Sequence, residues 1–163
     1  MPYAWSVILG FPNPVNEKAA RVVAGGVCMI AIAALASRTY WLAAVLAYGF
    51  IARVLTGPRL SPLGRIATSI VAPRLGPPKY VAGPPKRFAQ GIGAFLTTGA
   101  ALAAFTGENT VAIVLLALIV VAATLESVFA LCLGCQVFGA LMALGLVPDA
   151  VCAQCADVSL RRL

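Results

Sequence analysis

Five charge-free apolar runs dominate this 163-residue chain: Val22–Ser37, Thr39–Ala52, Phe88–Gly107, Asn109–Leu125 and Ser127–Pro148. Runs of this kind have too few polar positions to present a wet face at helix or strand period. A bilayer core about 30 Å thick needs roughly 17–25 helical residues, fewer when flanking Arg or Lys side chains snorkel to the interface. Composition agrees: 61% of residues are apolar and only 10% are charged, against about 25% charge in an average soluble domain. Mean hydropathy is +0.97. A water-soluble globule and a disordered chain are both excluded, and an integral membrane protein is expected.

The runs predict an all-α membrane protein, a bundle of four transmembrane helices with a cytoplasmic interfacial amphipathic helix. Residues 1–148 form the transmembrane domain and 149–163 a cytoplasmic tail. The spans are expected over about 20–37, 40–55, 88–106 and 111–132. Asn13-Pro14 reads as a helix start, with Asn13 capping and Pro14 at the first helical position. Arg53, at the end of the second run, is expected to snorkel. No basic leader with a small-residue cleavage site precedes the first span, so the mature chain is expected to begin at Met1. Tyr3 and Trp5 suit a membrane interface.

Residues 53–87 differ, with seven basic residues, no acids and seven prolines. Within them Ser61-Pro62 marks a helix start and Pro73 its end. Leu63, Ile66, Ala67, Ile70 and Val71 fall on one stripe, predicting an interfacial helix over about 62–72. Gly76-Pro77-Pro78 and Gly83-Pro84-Pro85 read as stiff, non-helical connectors. The apolar segment 136–147 is too short to span comfortably, about 18 Å as helix, and reads as re-entrant or interfacial.

The net charge is +7 and there is no histidine, which removes His-based acid/base chemistry and His-containing metal sites. Because the basic residues lie between apolar spans, they orient the chain rather than bind nucleic acid. Four spans put both termini and eleven of the twelve basic residues on one side, leaving Arg38 on the other. By the positive-inside rule that side is cytoplasmic, which predicts a multi-pass protein of the cell membrane.

Chemistry is concentrated in few residues. Cys132-Leu-Gly-Cys135 falls where the fourth span meets the cytoplasmic interface. Cysteines at i and i+3 can approach disulfide distance, and a C-x-x-C arrangement commonly lowers a thiol pKa. Gly134 would let a partner approach closely. Cys152-Ala-Gln-Cys155 follows after sixteen residues, so the four cysteines also match the spacing of a four-thiolate zinc or iron site. Glu126 is an ionisable group at membrane depth. It suits either proton donation to a thiolate or an ion pair with Lys86, Arg87 or Arg53. Lys86-Arg87 is a candidate for lipid headgroups or an anion. Cys28, beside Gly25-Gly26, reads as a small residue at a helix contact.

Several segments together resemble a known family: Phe11-Pro12-Asn13-Pro14-Val15-Asn16-Glu17; Gly57-Pro58-Arg59-x-Ser61-Pro62; Pro85-Lys86-Arg87-Phe88-Ala89-Gln90-Gly91-Ile92-Gly93; and Leu125-Glu126 followed by Cys132-x-Gly134-Cys135. They are similar to a bacterial family of small integral membrane proteins, notably actinobacterial, classed as a domain of unknown function. The resemblance covers about residues 11–140. It implies an encoded neighbourhood of thioredoxin-like and rhodanese-type sulfurtransferase proteins, hence thiol or sulfane-sulfur handling at Cys132 and Cys135. Cys152 and Cys155 lie outside the family pattern. A more distant likeness, to four-helix membrane thiol oxidoreductases, rests on span number and one C-x-x-C.

The leading expectation is therefore a membrane-anchored thiol-disulfide or sulfane-sulfur relay, with a thioredoxin-like or sulfurtransferase partner in the cytosol. The alternatives are a membrane scaffold holding zinc or iron on four cysteines, and an oligomeric small-solute transport subunit built around Glu126. The residues name no cofactor.

Overall fold

The computed structural model describes residues 10–148 and Val151. Its first elements are strand β1 (Val15–Asn16), helix α1 (Glu17–Ala36) and helix α2 (Leu42–Thr56). A helical segment, Pro62–Leu75, follows: α3 (Pro62–Ile66), then one π turn (Ala67–Val71) and one 3-10 turn (Ala72–Leu75). Strand β2 (Tyr80–Val81) leads into α4 (Gly83–Thr106), α5 (Asn109–Phe129) and the short α6 (Leu133–Ala143).

Three helices, α1, α4 and α5, are long and apolar enough to cross a membrane. At 1.5 Å per residue they measure about 30–36 Å. The second expected span is the 15-residue α2, only about 22 Å of helix.

Side-chain contacts fix how the helices run. Arg21 near the start of α1 reaches the end of α5, donating to the Ser127 carbonyl at 3.0 and 3.1 Å and to that of Val128 at 3.1 Å. Farther along α1, Cys28 meets Thr124, with Sγ 3.2 Å from Oγ1. The two helices are antiparallel. Arg53 at the end of α2 meets Gln90 near the start of α4, while Lys86 at the start of α4 meets Glu126 near the end of α5. The start of α1, the end of α2, the start of α4 and the end of α5 therefore gather at one end of the bundle.

The core is made of small residues: Ala31, Ala34, Ala43, Ala100 and Ala112 are fully buried, which lets the helix backbones approach closely. Large apolar side chains point outward instead, with Met29, Phe95 and Phe105 at 73%, 79% and 70% exposure. In water such a surface would aggregate; in hydrocarbon it is the ordinary outer face of a membrane bundle.

The predicted start of the first helix is displaced. Asn16, not Asn13, caps α1, accepting from the Lys18 amide at 3.0 Å. Residues 15–16 are instead paired antiparallel with β2, Val15 opposite Val81 and Asn16 opposite Tyr80. Asn13 caps a different helix, its Oδ1 accepting from the Gly83 amide at 3.0 Å. Gly83-Pro84-Pro85 is accordingly the first turn of α4 and not a connector; proline is tolerated there because first-turn amides have no intrahelical acceptor.

The interfacial stripe is split in two. Ala67 is fully buried and Leu63 packs against the core, whereas Ile66 and Ile70 are about half exposed, at 49% and 47%. The π turn at Ala67–Val71 shifts the helical phase, and helix continues through Pro73 to Leu75. Helix α5 ends three residues earlier than the expected fourth span. Ala130 takes a left-handed φ of 57°, its amide closing on the Leu125 carbonyl, and the chain turns into α6.

Candidate functional site

The helix break at Ala130 places Cys132 at the N-cap of α6 and Cys135 in its first turn. With one residue extended and the next three helical, the two thiols face each other, Cys135 Sγ donating to Cys132 Sγ at 2.7 Å. Both are free thiols. The S···S separation is about 0.7 Å beyond a covalent disulfide, so closing the bond needs only a small side-chain movement. Cys132 is buried and Cys135 half-buried.

The same contact polarises the pair. The Cys135 S–H held against Cys132 draws the Cys132 thiol below its ordinary range; burial and the Glu126 carboxylate oppose this, and the Lys86 ammonium assists it. Cys135 is pushed up, first by the Cys132 sulfur and then by burial. The contact therefore sets the two thiols apart, Cys132 lowered and Cys135 raised.

Helix α6 is seated on α4. Phe138 packs against Phe88 with ring centroids 5.5 Å apart. Gly134 faces Ala89 so closely that a Cβ on it would lie 2.6 Å from the Ala89 Cα. The expectation that Gly134 opens the pair to a partner is therefore corrected: its missing side chain is filled by α4.

Behind Cys132 lies the Lys86–Glu126 ion pair, Nζ to Oε1 2.6 Å, with side chains 8% and 15% exposed. Of the three bases named from sequence as partners for Glu126, Lys86 makes the contact. Arg87 goes elsewhere, its Nε donating to the Val54 carbonyl at 3.1 Å near the end of α2. Lys86 and Arg87 thus separate, one turned into the bundle and one exposed.

Arg53 does not snorkel. It is 6% exposed, lies over the Phe50 ring at 4.5 Å, and donates from Nε to Gln90 Oε1 at 2.7 Å and from Nη1 to Ser61 Oγ at 3.0 Å. Ser61 also caps α3, accepting from the Gly64 amide at 3.2 Å. Sequence reasoning missed Gln90 and Ser61 as members of this cluster. The available signal was a polar side chain on the first turns of an otherwise apolar span, opposite an arginine ending another.

Two cavities flank this polar cluster. One, of about 450 Å³, lies between residues 11–16, the start of α1, the end of α2, the 62–75 segment and the start of α4; Lys86 and Gln90 line it. The other, of about 290 Å³, runs between α1, α2, α4 and α5 and is walled by Glu126, Cys132 and Gly134. Arg53 and Gln90, with Ala20 and Val23 of α1, border both and form the partition. All four segments that carry the family resemblance meet around these two spaces: Phe11, Pro12, Pro14, Val15, Asn16, Gly57-Pro58 and Lys86 at the first, and Gln90, Ile92, Gly93, Glu126 and Cys132–Gly134 at the second.

Cys152 and Cys155 lie outside the described residues, as do Tyr3, Trp5 and most of the tail. Among the described residues, no three Cys, Asp or Glu side chains group as a metal site. Cys28 is packed between α1 and α5 on Thr124.

No curated protein and no solved structure matches this chain. The model of one family, described as Domain of unknown function (DUF4395), matches residues 15–143. That match takes in every helix of the bundle and both cysteines of the Cys132–Cys135 pair, and the chain belongs to this family.

Proposed function

We propose that this protein is a membrane-anchored thiol relay that exchanges a disulfide or a sulfane sulfur at Cys132 and Cys135. The observation that carries the reading is the 2.7 Å Cys132–Cys135 contact on the wall of a cavity beside a buried ion pair. Four spans, α1, α2, α4 and α5, cross the bilayer, the short α2 being accommodated by local thinning. The end that gathers Arg21, Arg53, Lys86 and Arg87 faces the cytoplasm, as the excess of basic residues requires. The partner is then a cytosolic thioredoxin-like or sulfurtransferase protein.

In the disulfide branch, the Cys132 thiolate attacks one sulfur of the partner's disulfide. That bond breaks, the partner's second sulfur leaves as thiolate, and a mixed disulfide forms. Cys135 gives its proton to that leaving thiolate and attacks Cys132 Sγ, expelling the partner's first sulfur. One disulfide has formed, one has been reduced, and two electrons have passed to the partner. In the sulfur branch, Cys132 attacks the terminal sulfur of a partner persulfide. The sulfane sulfur moves to Cys132, the partner leaves as thiolate, and no net electrons move.

Trapping tests this directly. Cys135→Ser removes the resolving sulfur, so a mixed disulfide between Cys132 and a thioredoxin-like partner accumulates in cells and disappears on adding Cys132→Ser. A Cys132→Ser, Cys135→Ser chain that fully rescues a deletion phenotype would sink the reading.

A further inference from the structure

We propose that the partition between the two cavities is a binding site for a small tetrahedral oxyanion, held on the guanidinium of Arg53. Three observations lead there. Arg53 is more than nine-tenths buried, and its Nη2 has no hydrogen-bond partner among the described residues. Its other two nitrogens are satisfied only by neutral oxygens, those of Gln90 and Ser61. The one carboxylate in the cluster, Glu126, is taken by Lys86 at 2.6 Å.

Arg53, Lys86 and Glu126 together therefore sum to +1 inside a wall of apolar side chains. A buried cation with no counter-ion is costly, and a neutral ligand would leave that cost in place. An oxyanion removes it, and a guanidinium with free N–H groups matches its geometry. Room lies next to the guanidinium on both sides, about 450 and 290 Å³, compared with about 30 Å³ per water molecule in the liquid; Nη2 itself is closed off from both, so the oxyanion reaches it as the Gln90 side chain moves aside. The site stands independently of whether the cysteine pair cycles, because neither sulfur takes part in it.

Oxyanions of this shape come free, as sulfate or phosphate, or as the phosphate of a lipid headgroup. The test separates the two. Full-length protein is exchanged into a phosphate-free maltoside detergent, and radiolabelled sulfate is titrated by equilibrium dialysis; native mass spectrometry of the same sample reports retained phospholipid. Gln90→Glu places a carboxylate where Oε1 now sits 2.7 Å from Arg53 Nε, supplying the missing charge from within. Arg53→Gln removes the cation and serves as the second variant.

The expected result is one saturable sulfate per chain, weakened by about tenfold or more in Gln90→Glu while its thermal transition stays at least as high as wild type. One tightly retained phospholipid, lost in the same variant, also supports the site and identifies the lipid phosphate as its occupant. Absence of both ligands from the wild-type protein overturns the proposal, as does binding that neither variant alters.

Discussion

Gly134→Ala tests the seating of the cysteine pair on α4. A Cβ at position 134 would fall 2.5 Å from the Ala89 Cβ and 2.6 Å from its Cα. Carbon contacts sit at about 3.5–4.0 Å, so α6 must retreat by roughly 1 Å. The obstacle is backbone of a long helix and cannot swing aside. Overpacking of this kind costs about 1–3 kcal/mol, partly offset by the gain of about 1 kcal/mol from replacing glycine with alanine in a helix. Gly139, five residues on in the same helix, has nothing within 4 Å of its added Cβ, so Gly139→Ala collects the propensity gain alone. Subtracting one variant from the other cancels propensity and leaves the overpacking cost, about 1–3 kcal/mol. Reversible unfolding in mixed micelles measures the difference, and alkylation of Cys132 reports the displacement, because the retreat of α6 exposes a sulfur now buried. Equal stability of the two variants within about 0.5 kcal/mol, with Cys132 equally protected, would refute the packing argument.

Other outcomes follow from the same geometry. Lys86→Met leaves the Glu126 carboxylate buried without its partner and should cost about 3–5 kcal/mol, whereas Lys86→Met with Glu126→Met should recover most of that loss; the double-mutant cycle by unfolding in mixed micelles checks it. Cys132 should alkylate with a pH midpoint below that of an ordinary cysteine, because its thiolate persists to lower pH. Cys135→Ala removes the S–H that stabilises the thiolate and should move the midpoint of the rate profile upward; no movement would remove the polarised-pair assignment. Asn13→Ala uncaps α4 from a distance, through the 3.0 Å bond to the Gly83 amide, and should cost about 0.5–2 kcal/mol in the same unfolding measurement.

What was legible in the sequence follows the range of the forces involved. Helices α1, α4 and α5 announce themselves because an uninterrupted apolar run has few other ways to satisfy its backbone in a bilayer. The Ser61-Pro62 start holds because a cap and its helix are neighbours in sequence. Asn13 fails for the complementary reason: its partner, Gly83, is seventy residues away, and the Val15–Val81 pairing that displaces the helix start is equally remote. Local sequence predicts a snorkelling Arg53, because solvation of a terminal arginine is the local expectation. Only the approach of Gln90 and Ser61 from two other segments turns it inward. Glu126 had three possible bases within reach of reasoning, and choosing Lys86 required the antiparallel register of α4 and α5. The cysteine pair is expected where the fourth run ends; nothing local reveals that Ala130 breaks α5 before it, so that both sulfurs belong to the start of α6.

The relay claim rests on Cys132 and Cys135 forming one reversible disulfide. Detergent-purified protein equilibrated in graded dithiol/disulfide buffers, denatured with chelator, alkylated and weighed intact, reports this directly. The account predicts a two-electron loss mapped by peptide to Cys132–Cys135, with a midpoint inside the cytosolic dithiol range of about −200 to −320 mV. No disulfide between these two sulfurs at any poise would contradict it.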